Sequence, residues 1–284
     1  VQKCVEVRGL KIQIAEIPIP MAFGPAFEGE VIRKDDMYMQ FGGNITPAFE
    51  YVMMKEISEI DDHDIQVVGP EIDDVEEGAA LPLGIVVEVA GRKMQEDFES
   101  ILERQIHHLI NGAEGIWHMG QRDIVWTRIS KKAQSKGFKI RHYGEIIHAK
   151  LINDFPSIVD KVKVTIYTNP EDVEKWLGIA RQAYRYRDEK TAGMTDESVD
   201  TFYSCTLCQS FAPTHVCIIS PQRLGLCGAY NWLDGKAAYE IDPTGPNQPV
   251  KKGDCTDEVK GSWPAIDEFV KDKSGGTVES VFMY

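Results

Sequence analysis

The feature that most constrains this chain is a group of four cysteines in its last third. Cys205, Cys208, Cys217 and Cys227 lie within 23 residues with the spacing C-x2-C-x8-C-x9-C, although all 284 residues contain only six cysteines. Two cysteines three positions apart can bind one metal centre from a single turn, and two later cysteines can complete a set of four thiolates. The pattern indicates that this segment folds around a shared metal centre.

Two kinds of centre accept four thiolates, a structural zinc ion and an iron–sulfur cluster. Structural zinc sites usually combine two short C-x2-4-C pairs, whereas nine residues separate the second pair here. Apolar and aromatic residues lie among the cysteines, including Phe202, Ile218, Ile219 and Trp232, and a dry environment of this kind suits a cluster. The spacing favours iron–sulfur, while zinc and cysteines without a metal, free or in disulfides, stay open.

Charge and hydropathy argue against two classes of partner. The chain has 45 acidic residues against 31 Lys and Arg, a formal net charge of −14, whereas a nucleic-acid-binding surface must be basic. No apolar run approaches the ~20 residues that a membrane-spanning helix needs. The start, VQKCVEV, has neither an initiator Met nor the shape of a signal peptide. We therefore expect part of a longer chain in the reducing cytoplasm, with no nucleic-acid or membrane partner.

The first two thirds of the chain mix strand and helix patterns. The apolar run LPLGIVVEVAG (81–91) predicts a buried strand, and MQEDFESILERQIHHLING predicts a helix that ends at Gly112. NPEDVEKWLGIARQAYRYRDEK predicts a second helix, with Asn169 as its N-cap and Pro170 in its first turn. Strand patterns cover four other segments: LKIQIAEIPIP, DIVWTRIS, IRHYGEIIHAKLI and KVKVTIYT. The mixture predicts an α+β fold with a mixed sheet.

The composition changes after the loop EKTAGMTDES (189–198). We therefore predict two domains, a mixed-sheet α+β domain at 1–198 and an irregular α+β metal-cluster domain at 199–284. In the second, YEIDPTGPNQPVKKGDC (239–255) is rich in Pro and Gly and predicts no regular structure. In the first, ten acids and no Lys or Arg lie at 56–77, which indicates either a solvated loop or a face that binds a basic partner or a metal.

A family resemblance extends along nearly the whole chain. The segment FYSCTLCQSFAPTHVCIISPQRLGLCGAYNWLDGKAAYEIDPTGPNQPV resembles the metal-binding segment of the acetyl-CoA synthase family, the CO-methylating subunits of the carbon monoxide dehydrogenase/acetyl-CoA synthase complex. Upstream, four segments are similar to the same family: GPAFEGEVIRKDDMYMQFGG, LPLGIVVEVAGRKMQEDFESILERQ, GQRDIVWTRIS and VDKVKVTIYT. The resemblance implies an acyltransferase of the Wood–Ljungdahl pathway of anaerobic carbon fixation, which makes acetyl-CoA from CO, a corrinoid-bound methyl group and coenzyme A.

The resemblance also implies roles at the cysteines. Cys205, Cys208, Cys217 and Cys227 would hold a 4Fe–4S cluster, and Cys208 would bridge it to a proximal nickel in the site called the A-cluster. Soft thiolates suit a nickel that binds CO and methyl. Phe211 matches an aromatic residue that packs over this nickel in the family, and a simple core position beside the cluster is compatible with that role.

Coenzyme A is the implied substrate of the upstream domain. Trp117 matches a tryptophan that the family associates with coenzyme A. Arg122, Arg128 and Arg141 are candidates for its phosphates, because guanidinium pairs bidentately with phosphate, although for any single one of them a structural ion pair is the favoured role. Other implied partners are the carbon monoxide dehydrogenase subunit and a corrinoid iron–sulfur protein. We expect His215, inside the cysteine loop, to face solvent, with a hydrogen bond to a cluster sulfur as the alternative.

The chain also departs from the family pattern. The family holds a second, distal nickel with a Cys-Gly-Cys tripeptide, which does not occur in these 284 residues. We therefore expect a fragment without the N-terminal domain and without this motif, able to ligate the 4Fe–4S cluster but inactive in acetyl-CoA synthesis by itself. Two alternatives stay open: an iron–sulfur electron carrier, although the ferredoxin pattern C-x2-C-x2-C with a later C-P is absent, and a zinc-stabilised interaction module.

Overall fold

A computed structural model of the chain describes residues 3–7, 10–14, 17–21, 31–210, 212–228 and 230–284, the first two ranges by their backbone alone. The chain divides into two compact units, Val1–Tyr184 and Arg185–Tyr284. Both units combine helices with sheets, so the fold is α+β, as predicted. The assignment of function to domains at 1–198 and 199–284 stays a prediction.

The elements are numbered in chain order. The strands are β1 (Lys3–Val7), β2 (Leu10–Ile14), β3 (Met37–Gly42), β4 (Ala48–Met54), β5 (Ile65–Val68), β6 (Ala80–Leu81), β7 (Leu83–Ala90), β8 (Ile116–Gln121), β9 (Ile124–Ser130), β10 (Lys161–Tyr167), β11 (Thr201–Cys205), β12 (Cys217–Ile219) and β13 (Pro249–Lys251). The helices are α1 (Glu99–Asn111), α2 (Lys131–Ser135), α3 (Arg141–Asp154), α4 (Pro170–Glu189), α5 (Trp232–Ile241) and α6 (Pro264–Lys273).

The first unit contains a mixed sheet in the order β4-β7-β10-β5, in which β7 runs parallel to β4 and antiparallel to β10. Val162, Val164 and Ile166 of β10 are fully buried on one face, as predicted. Helices α1 and α3 pack against β4 and β10, and α4 packs against Phe49 and Val86. Because helices bury both faces of this sheet, β7 is almost continuously apolar rather than alternating.

A second mixed sheet of the first unit has the order β6-β3-β9-β8, with β9 antiparallel to both β3 and β8. The strands predicted from DIVWTRIS and LKIQIAEIPIP are confirmed as β9 and β2, and β2 pairs antiparallel with β1. One face of the β8–β9 pair is buried through residues such as His118 and Thr127. The other face carries Trp117, Trp126 and Arg128, which are partly exposed.

The two predicted helices are confirmed as α1 and α4. Gly112 is the C-cap of α1, and the Asn169 side chain caps α4 by accepting a hydrogen bond from the Asp172 backbone N–H at 2.8 Å. Glu171 and Asp172 occupy the first turn of α4, where acidic side chains complement the helix dipole. Local sequence signals therefore define where α1 ends and where α4 begins.

The strand predicted from IRHYGEIIHAKLI is wrong, because this segment forms α3. Tyr143, Ile147 and Leu151 recur at a helical spacing of four and are fully buried. The isoleucines and the aromatic ring that favour strands locally instead form the apolar face that packs on β10 and β5. At the start of α3, Glu71 accepts a hydrogen bond from the Ile140 N–H at 2.6 Å, so part of the acidic stretch at 56–77 serves as a helix cap.

A polar network is buried in the first unit and links α1 to β4, β8 and β9. His118 Nδ1 lies 2.5 Å from Thr127 Oγ1, and its Nε2 contacts Glu50 Oε1. The His118 backbone N–H donates to Asn111 Oδ1 at 2.7 Å. Burial raises the pKa of Glu50 well above its ordinary value, with Glu103 adding to the effect, and lowers the pKa of His118 to about 3. The pair is therefore neutral, with the Glu50 carboxyl donating to Nε2 and Nδ1–H donating to Thr127.

The second unit is built on the three-stranded antiparallel sheet β12-β11-β13. Helix α5 packs against β11, and α6 packs against β13. Seven buried side chains form its apolar core: Phe202, Ile218, Val250, Trp263, Ile266, Val270 and Met283. The prediction that 239–255 lacks regular structure is wrong at Pro249–Lys251, which forms β13, and at the end of α5. Pro249 fits there because it is the first residue of an edge strand.

Among the described residues, no helix is both long enough and apolar enough to cross a membrane.

Candidate metal centre

The sheet of the second unit brings two of the predicted ligands side by side. Cys205 ends β11 and Cys217 begins β12, and the two residues are direct partners in this antiparallel pair. Side chains of directly opposed residues leave the same face of a sheet, with Cβ atoms about 4.5–5.5 Å apart. Cys205 and Cys217, twelve positions apart in sequence, therefore face one site together.

Turns carry the other two cysteines to the same site. Cys208 lies in a 3-10 turn, Leu207–Ser210, directly after β11. Cys227 lies in a turn closed by the Gly228 N–H, which donates to Gly225 O at 2.8 Å, and Gly228 has the positive φ of 68° that glycine tolerates. Short-range turns therefore position both residues without a further strand.

All four cysteines line one cavity of about 280 Å³. The remaining lining residues are Ala212, His215, Gly225, Leu226 and Tyr230. Cys205 is buried and Cys227 is exposed, so the cavity is closed at Cys205 and meets solvent at Cys227. The four cysteines are free thiols, so none of them forms a disulfide with another. Within the described ranges, no three His, Cys, Asp or Glu side chains are grouped to hold a single metal ion.

The surroundings of the cavity raise the pKa values of two of its thiols, Cys205 and Cys217. The pKa of the Cys205 thiol is raised to about 11, because burial and the neighbouring cysteines together outweigh a hydrogen bond from the Leu207 backbone that lowers it. Burial also raises the pKa of Cys217, and a hydrogen bond from the Leu226 backbone opposes this. These thiols ionise readily only beside a strong positive charge, and a bound metal centre supplies such a charge.

His215 lies against the cavity, contrary to the expectation that it faces solvent. Its Nε2 lies 3.2 Å from Cys217 Sγ, and its side chain is half-buried. Phe211, the predicted aromatic neighbour of the nickel, lies outside the described residues. Cys255 packs at the edge of the apolar core and does not line the cavity.

In the first unit, the structure brings together two of the four predicted coenzyme A residues. Trp117 and Arg128 are direct partners in the β8–β9 pair. The Arg128 guanidinium lies 5.4 Å from the Trp117 ring centre and 4.7 Å from that of Trp126, and the two indoles meet edge to face at 5.0 Å. Arg128 Nη1 also donates to Ile32 O at 2.8 Å. A partly exposed guanidinium between two indoles offers both a charge and a stacking surface.

Arg122 and Arg141 occupy other places in the first unit. Arg122 lies in the turn between β8 and β9 with a φ of 53°, and its guanidinium lies 5.3 Å from the Tyr184 ring centre. Arg141 begins α3, where its Nη2 lies 3.1 Å from Glu145 Oε1. Neither of these two contacts includes Trp117 or Arg128.

Comparison of the sequence with known protein families gives two matches, which together cover most of the chain. Residues 19–173 match a family described as the CO dehydrogenase/acetyl-CoA synthase complex beta subunit, and residues 184–284 match a family described as the C-terminal part of the ACS/CODH beta subunit. The chain belongs to the CO dehydrogenase/acetyl-CoA synthase beta-subunit family. The resemblance inferred from the sequence is thereby confirmed.

Relatives from bacteria and archaea share the family. The chain is 54% identical over its full length to the carbon monoxide dehydrogenase/acetyl-CoA synthase subunit alpha of Moorella thermoacetica, of which it covers 39%. It is 43% identical over its full length to the acetyl-CoA decarbonylase/synthase complex subunit beta 1 of Methanocaldococcus jannaschii, of which it covers 37%. It is also 43% identical over 95% of its length to the subunit beta of Methanopyrus kandleri, of which it covers 58%. The chain thus spans about two fifths of the first two relatives.

Sequence reasoning missed two features of this family member. The buried Glu50–His118 pair was not expected, although the alternation in β8 that buries Ile116 also directs His118 inward. The backbone hydrogen bonds to Cys205 and Cys217 could not be predicted from residue types, because every residue except proline supplies an N–H.

Proposed function

We propose that this chain is part of an acyltransferase that makes acetyl-CoA from CO, a corrinoid-bound methyl group and coenzyme A, and that its cysteine cavity holds a 4Fe–4S cluster. The observation that carries the proposal is the convergence of Cys205, Cys208, Cys217 and Cys227 on a single cavity. Membership of the CO dehydrogenase/acetyl-CoA synthase family supports it independently.

The residues present fit such a cluster. Four thiols are the donor set of a 4Fe–4S centre, and the other lining residues are mostly apolar. A zinc ion requires four sulfurs about 2.3 Å from one point. A cubane is larger, so its ligand sulfurs lie further apart around a cavity. The four cysteines surround a cavity of about 280 Å³, which has room for the larger centre.

Cys208 is the proposed bridge to nickel. When bound, the nickel–iron–sulfur centre supplies an electron-rich metal at which CO and a methyl group are joined. The residues of the chain ligate and orient this centre: the 3-10 turn fixes Cys208, and the strand pair fixes Cys205 and Cys217. Phe211 remains the proposed aromatic neighbour of the nickel.

Coenzyme A is the proposed ligand of the Trp117–Arg128 face. The guanidinium of Arg128 provides a positive charge for phosphate, and the indole of Trp117 provides a surface for the adenine ring. Arg122 and Arg141 remain wider candidates. The proposed protein partners are the carbon monoxide dehydrogenase subunit and a corrinoid iron–sulfur protein.

We further propose that these 284 residues do not make acetyl-CoA by themselves. They contain one set of four clustered cysteines and no Cys-Gly-Cys tripeptide for a distal nickel. Acetyl-CoA formed by the purified chain from CO, a methyl-corrinoid and coenzyme A contradicts this proposal.

Anaerobic reconstitution with iron and sulfide tests the metal centre. We expect a brown protein with broad visible absorption and about four iron atoms per chain. Nickel bound in addition, after incubation with a nickel salt, supports the synthase, whereas a cluster without nickel affinity supports an electron carrier. A colourless chain that binds one zinc ion tightly contradicts the proposal.

A further inference from the structure

The imidazole of His215 occupies a position that ligation by the four cysteines does not explain. Its Nε2 lies 3.2 Å from Cys217 Sγ, within hydrogen-bonding range of a sulfur acceptor, and the ring lines the same cavity as the four cysteines. A solvated loop histidine has no reason to approach the partly buried sulfur of Cys217. This contact indicates a role at the cluster rather than at the surface.

We propose that His215 donates a hydrogen bond from Nε2 to the sulfur of Cys217 and thereby raises the reduction potential of the cluster. The inference rests on the proposed function, because it requires a cluster in the cavity. A metal-bound thiolate carries no proton and can only accept hydrogen bonds, so the proton of this contact lies on Nε2.

Two successive turns hold the histidine in place. The Ala212 N–H donates to Cys208 O at 2.8 Å, and the His215 N–H donates to Ala212 O at 2.9 Å. These bonds join the backbone of one ligand to the backbone of the histidine, and Cys217 follows two residues later at the start of β12. The donor is therefore fixed to the ligand loop itself.

Cys217 receives a second donor from another part of the loop. The Leu226 backbone also hydrogen-bonds to this sulfur, while the Leu207 backbone hydrogen-bonds to Cys205. Reduction adds negative charge to a cluster and its thiolates, and each donor stabilises that added charge. The effect is larger in a mostly apolar cavity than in water, because the local dielectric constant is low. Removing the His215 donor should therefore make the cluster harder to reduce.

A redox titration of the reconstituted chain, poised with dithionite and monitored by absorbance and electron paramagnetic resonance, measures this effect. We expect His215→Leu to lower the ratio of reduced to oxidised cluster about three- to tenfold at a given solution potential, where tenfold corresponds to about 59 mV for one electron. His215→Gln retains an N–H donor of similar reach and should restore most of the native ratio. Thr214→Ala, at an exposed neighbouring position, is the matched control and should leave the ratio unchanged.

A second measurement requires no substitution. In the reduced native chain labelled with 15N-histidine, pulsed electron paramagnetic resonance should detect coupling to one imidazole nitrogen. This measurement decides the question if His215→Leu fails to retain about four iron atoms per chain.

The outcomes separate this inference from the proposed function. A native chain that binds no iron–sulfur cluster contradicts the proposed function itself. A native chain with its cluster, in which His215→Leu titrates like the native chain and no imidazole coupling is found, contradicts only the role of His215.

Discussion

Gly144 of α3 lies so close to β5 that a Cβ at this position would be 2.5 Å from Ile65 Cγ2. Helix interiors usually disfavour glycine, so this residue is explained by the close approach of α3 to the sheet. Helix α3, whose sequence predicted a strand, is therefore packed so closely on β5 that one added methyl group would overlap with Ile65.

Substitution of Gly144 tests this packing. We expect Gly144→Ala to destabilise the chain by about 1–2 kcal/mol, because overpacking outweighs the better helix propensity of alanine. Gly178→Ala in α4 is the matched control: its Cβ would have no neighbour within 4 Å, so the change should stabilise by about 0.5–1 kcal/mol. Urea unfolding measures both, and equal effects of the two substitutions contradict the packing argument.

Alanine at Cys205 should remove the cluster. Cys205 is buried at the closed end of the cavity, where no other described thiol can replace it, so we expect Cys205→Ala to lose at least about half of the bound iron. Cys255→Ala is the control, because Cys255 does not line the cavity and should leave the iron content unchanged. Iron analysis after anaerobic reconstitution checks both, and equal iron in the two variants contradicts the ligand assignment.

Stability should depend on pH through Glu50. Its pKa is raised by burial, so folding takes up a proton above the ordinary carboxyl pKa, and this site destabilises the fold increasingly as pH rises. Glu50→Gln keeps a donor to His118 and cannot ionise. We therefore expect the variant to gain stability over the native chain between pH 5 and pH 8, by up to about 1.4 kcal/mol per pH unit.

Glu114→Gln provides the comparison for this pH series. A hydrogen bond from Lys132 lowers the pKa of Glu114, burial opposes this, and the charge of Lys136 lowers the pKa further. The Glu114 carboxylate is then ionised in both folded and unfolded states above pH 5, and lysine stays charged, so its effect on stability should not vary between pH 5 and pH 8. A constant difference for Glu50→Gln as well would indicate that Glu50 and His118 form an ion pair instead of a neutral pair.

Coenzyme A binding should depend on Trp117 and Arg128. We expect Trp117→Ala and Arg128→Ala each to weaken binding about tenfold, because they remove a stacking surface and a phosphate-binding charge. Lys55→Ala is the control, since Lys55 follows β4 and forms an ion pair with Glu88 of β7 at 3.9 Å, in the other mixed sheet of the first unit. Calorimetry measures the three affinities, and native affinity in both Trp117→Ala and Arg128→Ala contradicts this site.

Elements whose apolar residues repeat with a clear period could be predicted from the sequence. Elements whose structure depends on packing or pairing with other elements could not. The pattern of Val162, Val164 and Ile166 predicts β10, and Asn169 predicts the start of α4. The α3 segment was predicted as a strand because Ile and Tyr favour strands by themselves, whereas its packing on β10 and β5 favours a helix. β13 was missed because a proline-rich segment pairs only once β11 offers an edge.

The sequence by itself determined which ligands are available: four cysteines at a fixed spacing, and the family in which that spacing occurs. The tertiary structure decided which groups meet. The strand register places Cys205 opposite Cys217, successive turns direct His215 to the same sulfur, and β8 pairs Trp117 with Arg128. Spacing limits how far two residues can be apart, but their convergence depends on register and packing, which the whole unit sets together.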